Sequence, residues 1–87
     1  MYKMQNNKSA SKYDIFFQSV LVASLHYEFD AFENEVTFHH CEPIEDLAAD
    51  AHCKELMKRA IKDVRKRWLR VNITCPIALK YLEKDAS

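Results

Sequence analysis

Apolar and polar residues alternate between positions 13 and 29. Tyr13, Ile15, Phe17, Leu21, Ala23, Leu25, Tyr27 and Phe29 share the odd positions, whereas Asp14, Gln18, Ser24, His26 and Glu28 fall on even ones. A period of two predicts a strand with one buried face; on a helical wheel the same apolar residues spread around the whole circumference. The run of 17 residues is long for one strand, so a bend or bulge is expected near Ser19 or Ser24. A second alternating run at 35–41 follows the stretch 30–34, which reads as a hairpin connection. The competing pattern is a buried helix over 11–29, with Ser11 as N-cap and Asp14 three residues later.

The period then changes. Pro43 opens a stretch with no further proline until Pro76, and Glu42, Glu45 and Asp46 suit the positive end of a helix dipole. Cys53, Leu56, Met57, Ala60, Ile61, Val64, Trp68 and Val71 recur at spacings of three and four, a stripe about 140° wide that reads as the lid of a core. Lys54, Lys58, Lys62, Arg65, Lys66 and Arg70 occupy the opposite arc, and Leu69 lies among them. Ile44, Leu47 and Ala51 project nearly opposite the stripe. Either the helix breaks near Asp50, which would cap a second one, or a continuous helix offers a self-association or partner surface. After Asn72 the segment 73–76 interrupts the helix, and Pro76 starts a short one, capped by Thr74 or Cys75, with Ile77, Ala78, Tyr81 and Leu82 sealing the core edge.

These elements predict a small α+β domain: an antiparallel β-hairpin over about 13–41, a long amphipathic helix over about 44–71 and a short C-terminal helix over 76–84, with an all-α fold as the alternative. Residues 1–11, rich in Asn, Lys and Ser, read as a flexible terminus, and 12–87 as one small domain.

Composition narrows the chemistry. The 87 residues include no glycine, which excludes the P-loop, the dinucleotide fingerprint and the G-x-S-x-G elbow, all of which need glycine where backbone turns sharply or approaches a ligand. Asn34 and Asn72 are the best substitutes at left-handed positions. Three cysteines without paired spacing indicate free thiols and a reducing, cytoplasmic setting. The segment 15–25 behind Lys3, Lys8 and Lys12 has the outline of a signal peptide, but Asp14, Gln18 and Ser19 interrupt it, and it is too short to span a membrane.

His39, His40, Cys41, His52, Cys53 and Cys75 suggest zinc, but their spacing is wrong for a structural site, and His40 and Cys41 point to opposite faces of a strand. Cys41 near His39 or His52 would need an oxyanion hole that no motif supplies. No metal, cofactor or catalytic residue is expected, and the chain reads as a non-enzyme.

The net charge is zero but unevenly laid out. Between positions 28 and 50 there are eight acidic residues and no Lys or Arg; between 54 and 70 there are eight basic residues against Glu55 and Asp63. Unless the two blocks neutralise each other, one of them faces a partner. The expected function is a non-enzymatic protein-binding module, regulatory or inhibitory, of the kind phages and mobile elements carry against nucleic-acid-handling machines. Its acidic patch would comprise Glu28, Asp30, Glu33, Glu35, Glu42, Glu45, Asp46 and Asp50. The alternative is a nucleic-acid-binding protein using the basic residues of 54–70. A protein partner is expected, with nucleic acid and a second copy of the chain as further candidates and no membrane.

Overall fold

The computed structural model describes residues 1–45 and 47–74. The order of elements is β1 (Tyr2–Asn7), a 3₁₀ turn (Lys8–Ala10), β2 (Lys12–Phe17), β3 (Val20–Asp30), β4 (Glu35–Pro43), α1 (Ala49–Lys66) and β5 (Arg70–Ile73). The strands lie side by side in that order; β1 to β4 are antiparallel, and β5 runs parallel to β4. A parallel neighbour requires a crossover, and α1 provides it.

Among the described residues this mixed five-stranded sheet with one helix corrects the expected hairpin with a helix over 44–71, and the all-α alternative with it. The alternating run 13–29 is two strands. The chain reverses at Gln18 and Ser19, whose φ values of 49° and 68° close a two-residue loop between the paired residues Phe17 and Val20. Positive φ at both positions is the type I′ hairpin turn, usually marked by Asn-Gly and here made without either. The next turn is easier to read: Asp30 Oδ1 accepts from the backbone N–H of Phe32 at 2.9 Å and of Glu33 at 3.2 Å, and Asn34 is left-handed as expected. Asn72 lies inside β5 instead.

Residues 2–7, within the segment expected to be flexible, form an edge strand. The hydroxyl of Tyr2 lies 2.9 Å from His52 Nδ1, its ring packs 5.0 Å from that of Phe17, and Asn6 accepts from the Tyr27 hydroxyl at 2.7 Å.

The helix is shorter than its periodicity suggested. Its N-cap is Ala48 at φ 60° without a side-chain cap, and Asp50 lies in the first turn. Ile44 and Leu47 therefore belong to the β4–α1 connection, 45% and 80% exposed, which resolves their phase mismatch without a kink or a second helix. At the other end Arg67 is the C-cap and Trp68 is left-handed at φ 62°. The N–H of Trp68 donates to the Arg65 carbonyl (3.0 Å) and that of Leu69 to the Val64 carbonyl (3.3 Å), both bonds of a Schellman motif. Residues 70–73 are consequently strand, and the expected helix at 76–84 lies outside the described residues.

The core lies between α1 and one sheet face. Cys53, Leu56, Met57, Ala60, Ile61 and Val64 are buried, as the stripe predicts, against Tyr13, Ile15, Leu25, Val36, Phe38 and Cys41. Trp68, placed on that stripe by its spacing, is 92% exposed because the helix has already ended.

Candidate functional site

The register of β4 breaks once. His26 pairs with His40 and Tyr27 with Phe38, which leaves His39 as the extra residue of a β-bulge. The neighbouring pair Leu25 and Cys41 is fully buried towards α1, where the Cys41 thiol, by donating to the Cys53 sulfur, holds the Cys53 thiol below its usual range. His26 and His40 therefore project from the opposite face, with their rings stacked at 6.1 Å. On that face His39 Nε2 lies 3.0 Å from Glu28 Oε2, and His26 Nε2 lies 3.6 Å from Glu42 Oε2.

The bulge stands where β4 and β5 part. Their pairing ends at Phe38 and Ile73, and the Thr74 N–H donates to the Phe38 carbonyl at 3.1 Å. The histidines are thus at the carboxyl end of β5, alongside the continuing half of β4, the region where open α/β sheets receive ligands. An imidazole with one nitrogen on a carboxylate is oriented by it and keeps the other nitrogen for a proton. Next to this group the Ser24 hydroxyl donates to Asp14 at 2.6 Å, and Lys12 lies 3.4 Å from the same carboxylate.

The eight carboxylates of the expected acidic patch are not one surface. Asp30, Glu33 and Glu35 lie at the β3–β4 turn, while Glu42, Glu45 and Asp50 lie at the far end of β4, roughly 25 Å away at the rise of a strand. Glu28 sits between them on His39, and Asp46 is outside the described residues. The basic residues Lys54, Lys58, Lys62, Arg65 and Lys66 are exposed along α1, and Arg70 starts β5. Arg70 and Glu33, 3.7 Å apart, join the two blocks; Arg59–Glu55 and Arg67–Asp63 are pairs within the helix, and Glu28 and Glu42 lie on His39 and His26.

The sequence presents His40 only as a metal candidate, His39 as that and as an imidazole near Cys41, and Glu28 and Glu42 only as partner contacts. Among the described residues no three His, Cys, Asp or Glu side chains converge as a metal site; Cys75 lies outside them. A bulge has no residue signature in a glycine-free strand, so adjacent histidines on one face could not be foreseen. The available signal was their position in a strand opposite His26 and Glu28.

No helix among the described residues is long and apolar enough to cross a membrane. No protein-family model and no curated protein matches the chain. One solved structure does: the solution structure of a GCN5-like protein from Staphylococcus aureus, inferred to be an N-acetyltransferase, which is 23% identical, covers 95% of this chain and 79% of that one, and superposes with a TM-score of 0.68. The expectation of a non-enzymatic regulatory or inhibitory docking module, with its nucleic-acid-binding alternative, is contradicted by this likeness, since the protein matched is inferred to be an N-acetyltransferase. What it shows of this chain is the fold alone, shared with that protein.

Proposed function

We propose that the chain is an acyltransferase that moves an acetyl group onto a primary amine, with the β4 bulge as its acceptor site. The observation that carries this reading is the likeness in fold along 95% of the chain to a protein inferred to be an N-acetyltransferase. The histidine–carboxylate pairs at the bulge support it chemically. A primary amine is almost wholly protonated at neutral pH, its pKa lying near about 10, and only the free base is a nucleophile. Glu28 and Glu42 attract the ammonium, which loses one proton to solvent to give the free amine; as its nitrogen bonds to the acyl carbon of a thioester, the imidazole of His39, oriented by Glu28 at 3.0 Å, takes the second proton while the acyl C–S bond breaks and the thiolate leaves. Group carriers of the coenzyme A type bring a pyrophosphate. The acidic, glycine-free β4–α1 connection does not fit that group, so the roles assigned to this chain's residues concern the amine alone.

The test is mass spectrometry of a lysine peptide and of a diamine after incubation with the protein and acetyl thioesters. Acetylated amine is expected to form above the uncatalysed rate. His39→Ala should lower that rate by about 100-fold or more while the thermal midpoint holds, and added imidazole should restore part of it. An unchanged rate in His39→Ala would remove the assigned base, and no product with any donor would remove the reading.

A further inference from the structure

The sheet outruns its helix at the β3–β4 turn. α1 closes at Lys66 while β3 continues to Asp30, and Leu25, Tyr27 and Phe29 alternate onto the helix-facing side. Phe29 stays half-exposed there, and Tyr27 and Leu69 are only partly covered. Beside them lies a cavity of about 380 Å³. Among the described residues its walls include Tyr13, Tyr27, Phe29 and Leu69, and Lys8 and Arg67 bring charge to it. The stacked rings of His26 and His40 are on the other face of the sheet, so this cavity stands apart from the proposed acceptor site.

Both charged residues described on its lining are cations. Arg67 meets Asp63 through Nε at 3.2 Å, and the same Asp63 oxygen takes the Tyr13 hydroxyl at 2.7 Å. The Nη groups of Arg67 and the ammonium of Lys8 have no acidic partner among the described residues. Helix carbonyls at this end would repel an anion if bare, but two of them are engaged. The Val64 carbonyl accepts from Arg67 at 3.1 Å and Leu69 at 3.3 Å, and that of Arg65 from Trp68 at 3.0 Å. Asp30 and Glu35 pair across the strands and alternate onto the opposite face from Phe29 and Val36.

We infer that this cavity binds a small aromatic carboxylate, its ring against Tyr27 and Phe29 and its carboxylate on Arg67 and Lys8. Aromatic walls favour a flat ring by stacking or edge contact, and a guanidinium fork matches a carboxylate. The volume is at the small end of the ~300–1,000 Å³ typical of ligand pockets, which suits one or two fused rings. The inference does not depend on the acyltransferase reading.

Calorimetric titration of the full chain at low ionic strength with 2-naphthoate, its uncharged amide 2-naphthamide and the aliphatic acid octanoate tests it. Naphthoate should bind one to one with a dissociation constant below about 1 mM, and the amide and octanoate should each bind about tenfold more weakly or worse. Lys8 is exposed, so Lys8→Glu should keep the thermal midpoint, weaken naphthoate by about tenfold and leave the amide unchanged. Amide shifts of the ¹⁵N-labelled chain on adding naphthoate should centre on Phe29, Val36 and Leu69. Absence of saturable naphthoate binding, or shifts centred elsewhere, overturns the inference. An amide as tight as the acid would remove the assigned cations, and octanoate as tight as naphthoate would remove the aromatic class. Naphthoate affinity unchanged in Lys8→Glu would overturn the assigned pose.

Discussion

Tyr13 stands on the helix side of β2 at 2% exposure, with its hydroxyl donating to Asp63 Oδ2 at 2.7 Å. Burial first, then the bond to the Asp63 carboxylate, push the phenol well above its ordinary range, and burial pushes Tyr27 the same way. Because the folded values are raised, both groups contribute fully below the unfolded value of about 10, and the contribution is lost as pH rises beyond it towards the folded values. Thermal midpoints should therefore fall steeply above about pH 10. Tyr13→Phe should lose about 1 kcal/mol at neutral pH, for the bond to Asp63, and should show a shallower alkaline decline. A variant as alkali-sensitive as the parent would assign that decline elsewhere. Trp68 makes a second residue-scale test. A left-handed L-residue costs about 1 kcal/mol, and this one gains little in return at 92% exposure. Trp68→Gly should therefore raise stability by about 1 kcal/mol in urea unfolding followed by circular dichroism, whereas the core position suggested by its spacing predicts a loss of about 3 kcal/mol or more.

Elements were readable in the sequence where side-chain periodicity decided them and unreadable where backbone conformation did. The stripe from Cys53 to Val64 is buried as its spacing predicts, and the alternation at 13–17 and 21–27 is strand. The failures cluster at Gln18, Ser19, Ala48 and Trp68, four left-handed residues at the ends of elements. Glycine usually marks such positions, and a chain without it hides its turns and helix ends, so two strands read as one and a helix runs on into β5. Of the candidate site, the histidines and carboxylates were recognised but their meeting was not, because the bulge at His39 is a property of register. The hidden turn can be tested directly: the double substitution Gln18→Asn and Ser19→Gly supplies the residues a type I′ turn favours and should add about 1 kcal/mol, raising the urea midpoint without changing the slope. On α1, Lys54, Lys58, Lys62 and Lys66 form one row of like charges at i,i+4. Lys58→Glu turns two repulsive contacts into attractive ones and should gain roughly 0.5–1 kcal/mol at low salt, most of it lost at high salt.

At the scale of the whole molecule, the edge strand β1 ties the sheet to the first half and middle of the helix. Tyr2 reaches His52 near the start of α1, and the Arg59 guanidinium lies 5.8 Å above the Tyr2 ring while its Nη1 donates to the Tyr2 carbonyl at 3.2 Å. Further along, Asn6 accepts from Tyr27, whose ring packs 5.2 Å from that of Tyr13 beneath Asp63. A flexible terminus could be removed without consequence; β1 cannot. Deleting residues 1–7 strips cover from Phe17 and His52, leaves the Tyr27 hydroxyl without its acceptor and turns β2 into an open edge. Partly buried Tyr2 and Met4 alone are worth about 2–4 kcal/mol together, a large share of the roughly 5–15 kcal/mol that holds a domain of this size. The truncated chain should therefore unfold at a markedly lower urea concentration, and its exposed β2 edge should make it associate, seen as concentration-dependent light scattering. Equal midpoints for the full and truncated chains would mean that β1 adds nothing to the fold. Loss of stability without association would mean that the Lys12 end of β2 already protects the new edge.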